Sequence, residues 1–378
     1  MSTRWALISI LVLYGMMGLS YAWLTPLWET PDEPAHYNYV RYLIEHRRFP
    51  VLQSSDYNFD YLERLKAARF PEEMSIDSIR YEYHQPPLYY LSGAVVAAPL
   101  PEPWRPMALR FFSVVLGAVS LFIMFRVGIE IFPRQPFWAL GATAFAATVP
   151  MRVAMTAAIN NDTLAELFIA LVLLALVRRV MRNTWSRQDA DWRSDLSLGL
   201  LLGLGLVTKT TTYITIPLAA IVILGPAVIR AFNAKPPGRQ AAKGKKVLAA
   251  LRLCDFALGL LTLRKWQPET GPNGEILHSV QNDMASLARV LGMALLVGLP
   301  WFARNSMVYG GLDILGLMRH NAIMIEQPRT AEWLSRLGWA GLAKEGMIID
   351  KSGRSAIGFK LSSDASLLGV RSALNIQP

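Results

Sequence analysis

Long apolar runs alternate with short polar, arginine-rich connections along most of the chain. A helix needs about 20 mostly apolar residues to cross a bilayer. The runs predict an all-α polytopic membrane protein with about seven spans, at residues 5–24, 107–125, 137–157, 163–176, 196–207, 211–229 and 287–301. The first run competes with a signal-peptide reading. It is long, however, and ends in YAWLTPLW without a small-x-small cleavage site, which predicts a retained span. Residues 86–100 are apolar too, but the run is short and lies between Pro86, Pro87, Pro101 and Pro103. An interfacial or re-entrant helix fits it better than a span.

Charge position then orients the helices. Arg126 and Arg134 flank one connection, and Arg178, Arg179, Arg182, Arg187 and Arg193 crowd a second. Arg230, Lys235, Arg239, Lys243, Lys245 and Lys246 crowd a third. Short basic loops stay cytoplasmic. This predicts a large first outer loop, residues 25–106, with short amphipathic helices. It also places the 158–162 turn, the Lys209 turn and the chain after Trp301 on the outer side. The expected organisation is a membrane domain over 1–231, a basic polar cytoplasmic insertion over 232–285, a last span with an outer segment over 286–343, and an aperiodic tail over 344–378. Within the insertion, residues 247–263 read as an amphipathic surface helix, and QPETGPNGEILHSVQND shows no helix or strand period.

Composition agrees with this picture. Of 378 residues, 53% are hydrophobic and 17% charged. Soluble domains carry about 25% charged residues. The net charge of +10 lies in the inter-span connections, which argues against a nucleic-acid partner. Cys254 is the single cysteine, so neither an internal disulfide nor a cysteine zinc site is open to the chain.

The polar residues of the outer side carry the candidate chemistry. In TPLWETPDEPAHYNYVRYL, Asp32 and Glu33 precede a helical pattern, with His36 three and four residues on. That spacing puts a carboxylate and an imidazole on one helical face, a pairing suited to a general base or to a divalent cation. Ordinary capping by Thr30 or Asp32 is the plainer alternative. In YEYHQPPLYY, flanking tyrosines suggest headgroup depth, with His84 and Gln85 facing headgroups or the aromatics acting as a simple anchor. Asp162 in AAINNDTLAE either caps the next helix or adds an outward carboxylate. Lys209 in GLVTK either snorkels or holds a lipid phosphate. Arg304 in PWFARNSMVYGG and Arg152 in VPMRVAM lie at the outer ends of their helices.

These pieces together resemble the GT-C superfamily of integral-membrane glycosyltransferases, of the protein O-mannosyltransferase-like and aminoarabinose-transferase-like kinds. The similar segments are PDEPAHYNYVRYL, HQPPLYY, NND, GLVTK and RNSMVYG, in the family's order. The resemblance implies sugar transfer from a polyprenyl-phosphate donor to a glycan, lipid or protein acceptor, on the extracytoplasmic face of the cytoplasmic (inner) membrane. It implies catalytic acids at Asp32, Glu33 and Asp162. It implies substrate binding by His36, His84, Gln85, Arg152, Lys209 and Arg304. A divalent cation is a possible cofactor. Family members usually have more spans and often a soluble C-terminal domain, so a truncated, inactive relative is the first alternative. A transporter is the second, disfavoured because the sequence lacks internal repeats and places its ionisable residues at helix ends.

Overall fold

The computed structural model describes residues 2–181, 192–233, 272–324, 347–349 and 355–357. Most of the 232–285 insertion, including its expected helix at 247–263, and most of the 344–378 tail lie outside the described residues.

The fold is helical, as expected from the apolar runs. Its helices are α1 (Thr3–Leu24), α2 (Glu33–His46), α3 (Phe59–Ala67), α4 (Leu88–Ala97), α5 (Arg105–Ile131), α6 (Pro136–Thr148) and α7 (Pro150–Thr156). They continue with α8 (Asp162–Met181), α9 (Trp192–Leu206), α10 (Thr215–Asn233), α11 (Pro272–Tyr309) and α12 (Leu317–Ile323). A small strand pair, β1 (Met347–Ile349) and β2 (Ser355–Ile357), runs antiparallel with Met347 opposite Ile357.

Among the described residues, three helices are long and apolar enough to cross a membrane, and a fourth counts if α6 and α7 form one broken span. That break corrects the continuous 137–157 span. The two helices meet at 69°. Pro150 forces the residue before it out of the helical region, and Val149 has ψ 112. α4 has ten residues, about half the hydrocarbon thickness at 1.5 Å per residue. α11 starts at Pro272, inside the segment whose missing period predicted a loop.

Close packing of α9 on α11 depends on two glycines four residues apart. A Cβ on Gly199 would lie 2.5 Å from the Val290 carbonyl oxygen, and one on Gly203 would lie 2.6 Å from the Val297 Cβ. Small residues at this spacing let membrane helices approach closely. At the end of this interface, Asp195 is buried and accepts from Arg179, Ser286 and Arg289, joining α8, α9 and α11.

The opposite end of the bundle is organised around Glu33 and Arg110. Both side chains are closed to solvent. Arg110 Nε donates to Glu33 Oε1 at 2.7 Å and Nη2 to Oε2 at 2.5 Å. Its remaining donors reach the carbonyls of Ala22, Thr25 and Pro26. Glu33 also accepts from the backbone N–H groups of Trp28 and Ile159. The pair thereby joins the end of α1, the start of α2, the body of α5 and the turn before α8.

Two outcomes test these contacts by thermal unfolding of the detergent-solubilised protein. Glu33→Gln should cost about 3–5 kcal/mol, because it leaves a buried guanidinium without its counter-charge; an unchanged midpoint would show that the pair is dispensable. Gly199→Val should destabilise by about 1–3 kcal/mol through overpacking against α11, whereas Gly141→Val, where a Cβ meets nothing within 4 Å, should leave the midpoint in place.

Candidate functional site

Four chain segments meet at the Glu33 end of the bundle. They are the 25–104 loop, the turn before α8, the turn after α9, and the residues from the end of α11 through α12. The Leu88 N–H donates to the Val207 carbonyl at 2.9 Å, fastening α4 to the end of α9. Asn161 Nδ2 donates to the Thr208 carbonyl and to Gln85 Oε1, both at 3.3 Å. Arg304 donates to the Pro50 carbonyl, and Tyr309 receives the Leu52 N–H at 3.2 Å. The sequence grouped these same segments on one side of the membrane.

Tyrosines form the floor. Tyr39 and Tyr90 stack with ring centroids 3.8 Å apart, and Tyr83 and Tyr89 meet them edge-on. Tyr89 bonds Ser113 at 3.0 Å, and Tyr90 bonds His36 Nδ1 at 2.8 Å. Tyr89 and Tyr90 are fully buried, which corrects the reading of PPLYY as a headgroup belt. Each hydroxyl has an internal partner, so neither ring needs water at its tip.

Asp32 occupies the N-cap position of α2 but makes no side-chain cap. Its φ of 61 places it in the left-handed region, where Asp is among the few side chains tolerated. The carboxylate is exposed, and Oδ1 accepts from the Tyr81 hydroxyl at 2.7 Å. Glu33, its neighbour in sequence, turns into the bundle toward Arg110. His36 is buried on Tyr90, and burial followed by the charges of Lys209 and His84 lowers its pKa to about 3. Asp32, Glu33 and His36 therefore point three ways. Among the described residues no group of three His, Cys, Asp or Glu could hold a metal ion.

Asp162 does not cap α8, because Asn160 does. Asn160 Oδ1 accepts from the N–H groups of Asp162 and Thr163 at 3.1 and 3.3 Å. The freed Asp162 carboxylate takes Lys209 Nζ at 2.7 Å and stays half exposed. His84, expected at headgroups, is buried beneath α12. Its ring lies 4.3 Å from that of His320, and its Nδ1 meets the Tyr81 carbonyl at 3.0 Å. Burial, then His320, lowers the His84 pKa to about 3. Gly316, at φ 70, makes this packing possible, since a Cβ there would lie 2.9 Å from the His84 Cβ.

The remaining two candidates are held elsewhere. Arg152 pairs with Glu166 at 2.5 Å and lies over the Tyr14 ring. Arg304 sits between the Trp301 and Tyr309 rings while holding Asn305 and Pro50. Both act as clasps between elements.

The sequence reading passed over Glu82 and His320. Glu82 lies in YEYHQPP and is buried, with Oε2 lacking any hydrogen-bond partner. Its carboxyl is pushed up from 4.5 to about 7. Burial is the largest cause and Asp32 the next; the Gln85 hydrogen bond and the Lys209 charge oppose the rise, and Asp162 adds to it. Glu82 thus feels the charges of Asp32 and of the Asp162–Lys209 pair. His320, on α12, comes from a segment that no catalytic spacing singled out.

The sign of a pH effect follows. Between pH 4.5 and 7 the folded Glu82 holds more proton than the unfolded, so its contribution to stability is full below 4.5 and lost as pH rises through 7. His36 and His84 act oppositely, contributing fully above 6.5 and losing it as pH falls toward 3. The melting temperature of Glu82→Gln minus that of the wild type should therefore become more positive from pH 5 to pH 8. A difference constant across that range would mean that Glu82 titrates as an ordinary carboxyl.

Comparison with known protein families gives one match. Residues 103–237 match the model of the dolichyl-phosphate-mannose-protein mannosyltransferase family. No curated protein and no solved structure matches the chain. The matched stretch runs from the turn before α5 past α10 and includes Arg110, Asn160, Asp162 and Lys209, whereas Asp32, Glu82 and His84 precede it. The match supports the resemblance seen in the motifs, that of a membrane glycosyltransferase of the GT-C type.

Proposed function

We infer that the chain transfers a sugar from a polyprenyl-phosphate donor to an acceptor at the extracytoplasmic face of the cytoplasmic membrane. The observation that carries this reading is the convergence of an exposed carboxylate, Asp32, and a lysine, Lys209, on one end of an apolar helical bundle. The family match supplies the reaction class.

The chemistry divides between these two groups. The acceptor hydroxyl or amine attacks the anomeric carbon while the bond from that carbon to the phosphate oxygen breaks. The bonding electrons leave on the lipid phosphate, and the acceptor proton goes to Asp32. Its carboxylate is exposed to an incoming acceptor, and the Tyr81 hydroxyl fixes its direction. Lys209 offers a mobile point charge for the departing phosphate. Its pairing with Asp162 holds the ammonium at the end of α9 until the phosphate competes for it. A single displacement of this kind inverts the anomeric centre.

Glu33, His36, Arg152 and Arg304 support the site in this reading through buried or inter-element contacts. The apolar exteriors of α1 and α5 face lipid; Met16 and Leu24 are more than 60% exposed, and Val115 is 60% exposed.

Membranes containing the protein and a polyprenyl-phosphate sugar provide the test. Asp32→Asn should lower transfer by about 10²–10⁴-fold, the range for loss of a general base. Glu45→Gln, altering an exposed carboxylate beside Arg41, should leave transfer unchanged. Lys209→Met should raise the donor KM by about tenfold or more, as loss of a charged hydrogen bond does. Full activity of Asp32→Asn would remove the carboxylate from the mechanism.

A further inference from the structure

Two acceptor atoms beside Gln85 are buried without a donor. They are Glu82 Oε2 and Asn161 Oδ1. The orientation of Asn161 is fixed by a group that cannot turn over. The Thr208 carbonyl only accepts, so it must face the Asn161 amide nitrogen. Asn161 Oδ1 then points away from Thr208. The same nitrogen reaches Gln85 Oε1, which leaves the Gln85 amide nitrogen free to donate to Glu82. Gln85 therefore stands between the two orphaned acceptors and is the most exposed of the three side chains.

A buried acceptor without a donor costs about 1–3 kcal/mol, and native structures keep few of them. Here two share one bridging amide. Their surroundings narrow the choice of occupant. The charges of Asp32, Lys209 and Asp162 all act on Glu82, and Asn161, which Gln85 links to it, bonds the Thr208 carbonyl next to Lys209. In the proposed reading these charges include the group that takes the acceptor proton and the group that meets the phosphate. A ligand with several hydroxyl donors on one small ring satisfies both acceptors at once.

We propose that Glu82, Gln85 and Asn161 form the hydroxyl-binding subsite for the transferred sugar, the Gln85 side chain turning aside as the ring enters. This rests on the reading of the chain as a polyprenyl-phosphate sugar transferase. Glu82 and Asn161 accept from ring hydroxyls, and the anomeric carbon lies between Asp32 and Lys209. Glu82 then sets which hydroxyl pattern is accepted, and it makes no contact with the lipid or the phosphate.

Binding to the full chain in nanodiscs separates the two readings. The probes are unglycosylated polyprenyl phosphate and polyprenyl phosphates carrying mannose, glucose, galactose or arabinose. The wild type should bind at least one glycosylated probe about tenfold or more tighter than the bare phosphate, as expected for a hydrogen bond to a charged acceptor. Glu82→Gln and Asn161→Ala should each lose most of that advantage while binding the bare phosphate as the wild type does. Equal wild-type affinity for bare and glycosylated probes would overturn the subsite and leave the lipid-phosphate reading standing. An undiminished sugar advantage in both variants would overturn it as well. Failure to bind any probe, bare or glycosylated, would overturn the transferase reading itself and the subsite with it.

Discussion

The arrangement of this protein depends on one buried ion pair. Glu33 and Arg110 are both closed to solvent, and every donor of the guanidinium has an acceptor. Removing two charges from water costs several kcal/mol per ion unless the geometry compensates. Compensation here comes from the ends of other elements. Three carbonyls at the end of α1 and in the following turn take the remaining arginine protons, and the Trp28 and Ile159 N–H groups take the remaining carboxylate lone pairs. The pair is satisfied only when α1, α2, α5 and the turn before α8 are all in place. It therefore specifies one arrangement of the segments that bear the site.

That constraint explains why adjacent acids differ so much. Asp32 and Glu33 look equivalent in PDEP, and the sequence assigned both to catalysis. The left-handed backbone at Asp32 sends the two side chains apart, one to the Tyr81 hydroxyl at the surface and one into the bundle. Sequence periodicity cannot foresee this, because one residue with positive φ resets the face. Burial of Glu33 becomes readable only once Arg110, 77 positions on, is known to be its partner.

The helical class and the grouping of loops were legible for a simple reason. Long apolar runs and basic connections are local signals, and each can be read without its neighbours. The break at Val149 carried a local signal too, in Pro150, but hydrophobicity alone smoothed over it. What stayed hidden was long-range. The tyrosines of PPLYY read as an interface belt until their hydroxyl partners, Ser113 and His36, placed them in a core. His84 read as a headgroup contact until Gly316 brought α12 over it. Asp162 read as either a cap or an outward carboxylate until Asn160 took the capping role.

Glu82 shows how a site residue escapes both composition and motif. It stands two residues before the histidine in YEYHQPP, among buried neighbours, and no spacing rule pairs it with Asp32 fifty positions earlier. Its character arises from what surrounds it. Burial and two carboxylates push its proton affinity up, while Lys209 and Gln85 pull it down. A carboxyl balanced in this way near neutral pH is costly to keep, and an apolar or amide side chain of similar size would pack there more cheaply. The same cost falls on Asn161, whose oxygen is bare although its nitrogen serves two acceptors. Two such penalties adjoin one amide, that of Gln85. In the proposed reading the unsatisfied Glu82 and Asn161 oxygens belong to the ligand, just as the fully satisfied Glu33–Arg110 pair belongs to the fold.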